Sequence, residues 1–122
     1  MTNPVALIWG VRDGEDDSYK GIVIWCPGCE YIHTDGLQVG GLHLLPVSGI
    51  TSKRPTWIWN KDLVNVTLSP SILTKMTRNG KPFICHSFLT DGRWRFLGDC
   101  THDLKNRSAA MRPLPDWVVD HD

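Results

Sequence analysis

The residues best equipped for chemistry are four cysteines and five histidines in a chain of 122. Cys26-Pro27-Gly28-Cys29 brings two thiols together around a turn. A C-x-x-C turn lets two thiolates reach one ion, and its glycine lets backbone amides approach the sulfurs. Cys85 and Cys100 supply a second pair, so the expected centre is a closed four-cysteine Zn2+ site. Buried, unliganded thiols are the plain alternative. A thioredoxin-like redox pair is less suited, because that motif opens a helix, and the following EYIHTDGLQVGG is turn-rich.

The second cysteine pair gains geometry from a turn. Asp91-Gly92 lies between two apolar runs, which predicts a type I′ hairpin with Leu89 opposite Trp94, Ser87 opposite Phe96, Cys85 opposite Gly98 and Phe83 opposite Cys100. Alternation then puts Cys85 and Cys100 on one face as diagonal neighbours, roughly 7–8 Å apart at the backbone. That is close enough for one ion and too far for an unstrained disulfide. His102 continues on the same face, while His86 points to the other.

Further groups have two readings each. His33 and His102 are substitute metal ligands. His86, flanked by Ile84, Phe88, Arg95 and Leu97, is either a hydrogen-bonded core histidine or a catalytic proton carrier beside Arg95, which would hold an anion. Thr67-Leu68-Ser69-Pro70-Ser71 reads as a helix cap, or as the source of a hydroxyl nucleophile for His86, although no Gly-x-Ser-x-Gly elbow accompanies it. Asp91 and Asp99 read as turn residues, and His43 and His121 receive no role. Trp57 and Trp59 read as core rings or, beside Lys53 and Arg54, as a stacking platform for a nucleic-acid base.

The elements that must hold these groups are short strands at Val5–Val11, Gly21–Trp25, Leu42–Val47, Thr56–Trp59, Asn65–Leu68, Pro82–Leu89 and Arg93–Leu97. A short helix is expected over Ser71–Arg78, ended by Asn79-Gly80, and a second near Leu104–Ala110. The expected fold is mainly β, a zinc-stabilised sandwich or partly open barrel forming one domain over residues 1–122. A charged content of 21% against 41% hydrophobic excludes a disordered chain. Thirteen basic and thirteen acidic side chains argue against a generic polyanion binder. The charge is nevertheless segregated: residues 1–49 carry two basic and six acidic groups, net −4, residues 50–112 eleven and four, net +7, and residues 113–122 three acids, net −3. No run approaches a membrane span, and the Val5–Trp9 run is too short for a signal core, so a reducing cytoplasm is expected.

The ordered series CPGCEYIH, PTWIWN, VTLSPSIL, CHSFLTDGRWRFLGDCTHDL and Leu114-Pro115-Asp116-Trp117 resembles a family of small proteins common in tailed-bacteriophage genomes, with more distant bacterial relatives. The likeness spans roughly residues 20 to 117, departing after the DCTH motif, where relatives carry a glycine. It implies a phage-encoded zinc-binding protein in the host cytoplasm. On the residues themselves the leading expectation is a non-catalytic zinc-stabilised module that binds a host or phage protein. A metal-dependent enzyme using His86 or His102 on a nucleotide or small metabolite, and a nucleic-acid binder working through residues 50–112, are the alternatives. The cytidine-deaminase form of that enzyme lacks its H-x-E and P-C-x-x-C pairing here.

Overall fold

A computed structural model describes residues 2–10, 21–32, 38–50 and 56–119. Strands β1 (Ala6–Trp9), β2 (Gly21–Trp25), β3 (Tyr31–Ile32), β4 (Gln38–Val39), β5 (Leu42–Leu45), β6 (Ile58–Trp59), β7 (Leu68–Arg78), β8 (Lys81–Thr90), β9 (Arg93–Phe96) and β10 (Ser108–Ala110) precede a single-turn helix α1 (Asp116–Val119). A three-stranded antiparallel sheet runs β1-β2-β5, a five-stranded one β10-β9-β8-β7-β6, and β3 pairs with β4 as a ribbon. Among the described residues no sheet closes into a barrel. The mainly β expectation holds.

The two larger sheets share one core. From the smaller come Ile22 and Ile24 of β2, and from the larger come Ile72, Cys85, Leu89, Trp94 and Phe96. Burying a side chain such as Leu89 fully contributes about 1.5–3 kcal/mol before entropy is counted. Strand β2 is apolar throughout because both of its faces are covered. Its opposite face, Val23 and Trp25, packs against Leu114 and Val118 of the C-terminal segment. Leu114 is tied there through its N–H to the Pro4 carbonyl and its carbonyl to the Asn3 amide. A parallel bridge from Val47 to Trp57 links the sheets along the chain.

Both expected helices are overturned. Ser71–Arg78 lies inside β7, and the Asn79-Gly80 pair that was to end a helix turns the chain into β8 instead, with φ of 52° and 76° at its two residues. Positive φ at both positions is the twist-matched hairpin geometry, and β8 then supplies a continuous ladder for β7. Residues 104–110 form turns and the edge strand β10, which pairs with β9. The Asp91-Gly92 hairpin has the expected register, Leu89 against Trp94 and Ser87 against Phe96. Beyond Phe96 it changes. The Leu97 N–H reaches the His86 carbonyl as the ladder requires, but the N–H that reaches Ile84 belongs to Thr101, not Asp99. Cys100 is therefore not opposite Phe83, and the intervening residues loop outward.

Candidate active site and metal centre

Strand β7 carries an irregularity where the site is built. Leu68 pairs with Leu89 and Ile72 with Ser87, so residues 69–71 stand against Phe88 alone. Pro70 brings no N–H to a ladder, and a bulge of this kind re-aims the side chain beside it. Ser71 closes the irregular stretch on the face of Leu73 and His86, its carbonyl accepting a hydrogen bond from the Trp57 indole N–H at 3.3 Å.

The Ser71 hydroxyl lies 2.9 Å from Nε2 of His86. On the other side of the ring, Nδ1 of His86 lies 3.0 Å from Oδ2 and 3.3 Å from Oδ1 of Asp99, the residue presented by the outward loop. A carboxylate only accepts, so Nδ1 is the nitrogen that donates to Asp99, and in the neutral tautomer this fixes, Nε2 presents its lone pair to the hydroxyl. This is the arrangement in which an imidazole removes a serine proton while a carboxylate fixes the tautomer and stabilises the imidazolium. The site opens outward: the side chains of His86 and Asp99 are 25% and 52% exposed.

The opposite face of β8 holds the sulfurs. Cys26, Cys29 and His43 form one group of potential ligands, and Cys85, Cys100 and His102 another. The groups meet where the Cys26 and Cys85 sulfurs approach to 3.7 Å. Tetrahedral zinc with Zn–S bonds near 2.3 Å spaces its sulfurs by about 3.8 Å, so the donor set suits a metal ion. His43 Nε2 is 3.3 Å from the Cys29 sulfur, and His102 Nε2 3.3 Å from that of Cys85. Hydrogen bonding from Cys26, and then from Cys85, holds Cys29 far below the usual thiol range, while Cys26 and Cys85 are pushed up. Ligation of a metal ion would draw off the thiol protons of the cluster. Burial keeps the His102 ring below its usual range. Gly28 is required here, since a Cβ would lie 2.6 Å from the His102 ring and 2.7 Å from that of Phe96.

Cys100 has a distinct relation to the triad. Its sulfur accepts the His86 backbone N–H and its thiol donates to the His86 carbonyl, both at 3.2 Å. The cysteines and the His86 ring are therefore back to back across one strand, with Cys85 next to His86 and Cys100 next to Asp99 in the chain.

The four cysteines fall in two neighbouring groups of potential ligands, one with His43, which was given no role from sequence, and one with His102, expected as a substitute ligand. His33, Lys53 and Arg54 lie outside the described residues. Trp59 is buried and Trp57 half-buried against the same core, so the rings are packed and do not form an open platform. Arg95 is exposed on the face of His86. Ser71 as a helix cap is corrected, since it lies within β7; Asp99 is the turn residue expected and in addition reaches His86. The missed signal was Asn79-Gly80: read as a hairpin turn, it sets Leu73 opposite His86 and Ser71 diagonally beside it on one face.

Fold and site define a small antiparallel β domain with a Ser-His-Asp constellation on one sheet face and a cysteine-histidine cluster behind it. The chain belongs to the family described as bacterial ubiquitination-like system serine protease (BubE), whose model matches residues 6–97. Ser71 and His86 fall within that match, and Asp99 lies two residues beyond its end. No curated protein and no solved structure matches the chain.

Proposed function

We propose that this chain is a serine protease of a ubiquitination-like system, hydrolysing an amide bond at the C-terminal side of a ubiquitin-like polypeptide. The observation that carries the reading is the hydrogen-bonded series from Ser71 through His86 to Asp99. Ser71 Oγ attacks the scissile carbonyl while His86 Nε2 takes its proton. His86 then returns that proton to the departing amine, leaving an ester on Ser71 that water hydrolyses with His86 again as base. The open setting suits a polymeric substrate, and the family description supplies the ubiquitin-like context.

The metal is zinc in this reading and has a structural role. Cys26, Cys29 and Cys85 give three sulfurs, and one imidazole completes the shell. His43 offers Nε2 to that shell, whereas His102, whose Nδ1 accepts the Leu104 N–H, offers Cys85 a proton. Bound zinc would clasp the two halves of the chain and supply folding free energy. The setting is the cytoplasm of a phage-infected bacterium, where the chain would act on host conjugates. An accessory module without catalysis would account for the metal cluster but not for the serine series.

A fluorophosphonate probe tests the chemistry. It should label the wild-type chain and leave Ser71→Ala unlabelled, and cleavage of a ubiquitin-like protein bearing a C-terminal extension should stop in the same variant. Equal labelling of both chains would dismiss Ser71 as the nucleophile. Metal analysis of His43→Ala and His102→Ala identifies the imidazole, with loss of zinc expected in the first.

A further inference from the structure

We infer that the groove running from His86 along β8 and β9 is a substrate subsite for acidic side chains, an inference that rests on the serine-protease reading. Alternation along β8 puts Phe88 and Thr90 on the outer face that carries His86. Across the ladder Phe88 faces Arg95 and Thr90 faces Arg93, and Arg95 faces Ser108 of β10. These residues, with Trp94, line a groove of about 560 Å³. Its first residue is two positions from the proton carrier, so a polypeptide held at Ser71 would extend over it.

The lining defines what it takes. Phe88 is 42% exposed, as is 49% of Leu73 opposite His86, which gives the face apolar contact on both sides of the ring. Among the described residues neither Arg93 nor Arg95 has an ion-pair or hydrogen-bond partner, whereas Arg112 is paired with Glu30. Two unneutralised guanidiniums beside an apolar floor match carboxylates on a short apolar peptide, which arginine can receive through paired N–H donors. A nucleic acid fits less well, because the indole rings that would stack on its bases are packed in the core.

Binding to Ser71→Ala chain tests this without turnover. Fluorescein-labelled Gly-Leu-Glu-Glu-Gly, its Gln-Gln and its Lys-Lys counterparts, and a labelled oligothymidylate are compared by anisotropy. The Glu-Glu peptide should bind about ten-fold more tightly than the Gln-Gln one, an advantage that falls with salt and vanishes when Arg93→Ala and Arg95→Ala are added. Equal binding of the three peptides, an advantage that survives the arginine changes, or tighter arginine-dependent binding of the oligothymidylate would overturn the subsite. Fluorophosphonate labelling of a chain carrying the arginine changes and an intact Ser71 reports on the triad separately. A melting temperature near that of the parent shows that the chain remains folded. Failure of the wild-type chain to label, with peptide selectivity retained in Ser71→Ala, would thus strike the protease reading and leave the anion subsite standing.

Discussion

His86 divides its duties between ring and backbone, and single substitutions separate them. Replacing Asp99 by Asn offers Nδ1 an amide that can donate, so the ring proton shifts to Nε2 and the lone pair facing Ser71 is lost. Asp99→Asn should lower kcat by about 10²–10⁴ with KM little changed, as read in peptide hydrolysis. Cys100 acts on the same residue from behind. Cys100→Ala removes the acceptor of the His86 N–H and should cost about 1–3 kcal/mol in denaturant unfolding. Cys100→Ser keeps a group that both accepts and donates, so it should recover most of that loss. Zinc retained in Cys100→Ala would show a positioning thiol, and zinc lost would make Cys100 a ligand.

At the level of elements, the knuckle and the strands answer to steric detail. Gly28→Ala drives a methyl into the rings of His102 and Phe96, and a rise in neither metal affinity nor stability is expected: the melting temperature should fall, consistent with about 1–3 kcal/mol of overpacking. The loop between β6 and β7 adds a pH effect. The N–H groups of Asn65 and Val64 hold the Asp62 carboxyl below its usual range. Its contribution is therefore present above the unfolded value, about pH 4, and is lost as pH falls through the lower folded value. Asp62→Asn should lower stability at neutral pH, leave low pH little affected and so flatten the acid limb of a stability-versus-pH curve. Much of this layer was legible beforehand. Gly21–Trp25 was read with its observed bounds, and Asp91-Gly92 gave the β8–β9 pairing correctly to Phe96. Strand β7 was not, because Ser71–Arg78 contains good helix formers and only β8 decides the contest. Asp99 was hidden for a related reason: its position depends on where the ladder slackens, which no local pattern announces.

For the whole molecule, the cysteine-histidine cluster is a clasp between distant stretches. Cys26, Cys29 and His43 come from the smaller sheet and its neighbouring turn, Cys85 from the larger, and Cys100 and His102 from the segment after β9. A chelator should accordingly lower the melting temperature and extinguish hydrolysis together, with both restored by added zinc. Activity that survives complete zinc removal would separate the clasp from the catalytic face. The charge division noted from sequence has a counterpart here, since Arg93 and Arg95 belong to the basic middle section and face outward with Phe88.

The triad has another property, one of chain distance. Ser71 and His86 come from β7 and β8 and Asp99 from the turn just after β9, a single run whose strands meet through tight turns at Asn79-Gly80 and Asp91-Gly92. Contacts so near in sequence close quickly, while those joining the smaller sheet to the larger span much longer loops. The β7-β8-β9 meander is thus able to organise first and the amino-terminal sheet to close over it later. In stopped-flow refolding, Leu89→Ala should slow folding, whereas Ile24→Val should chiefly speed unfolding.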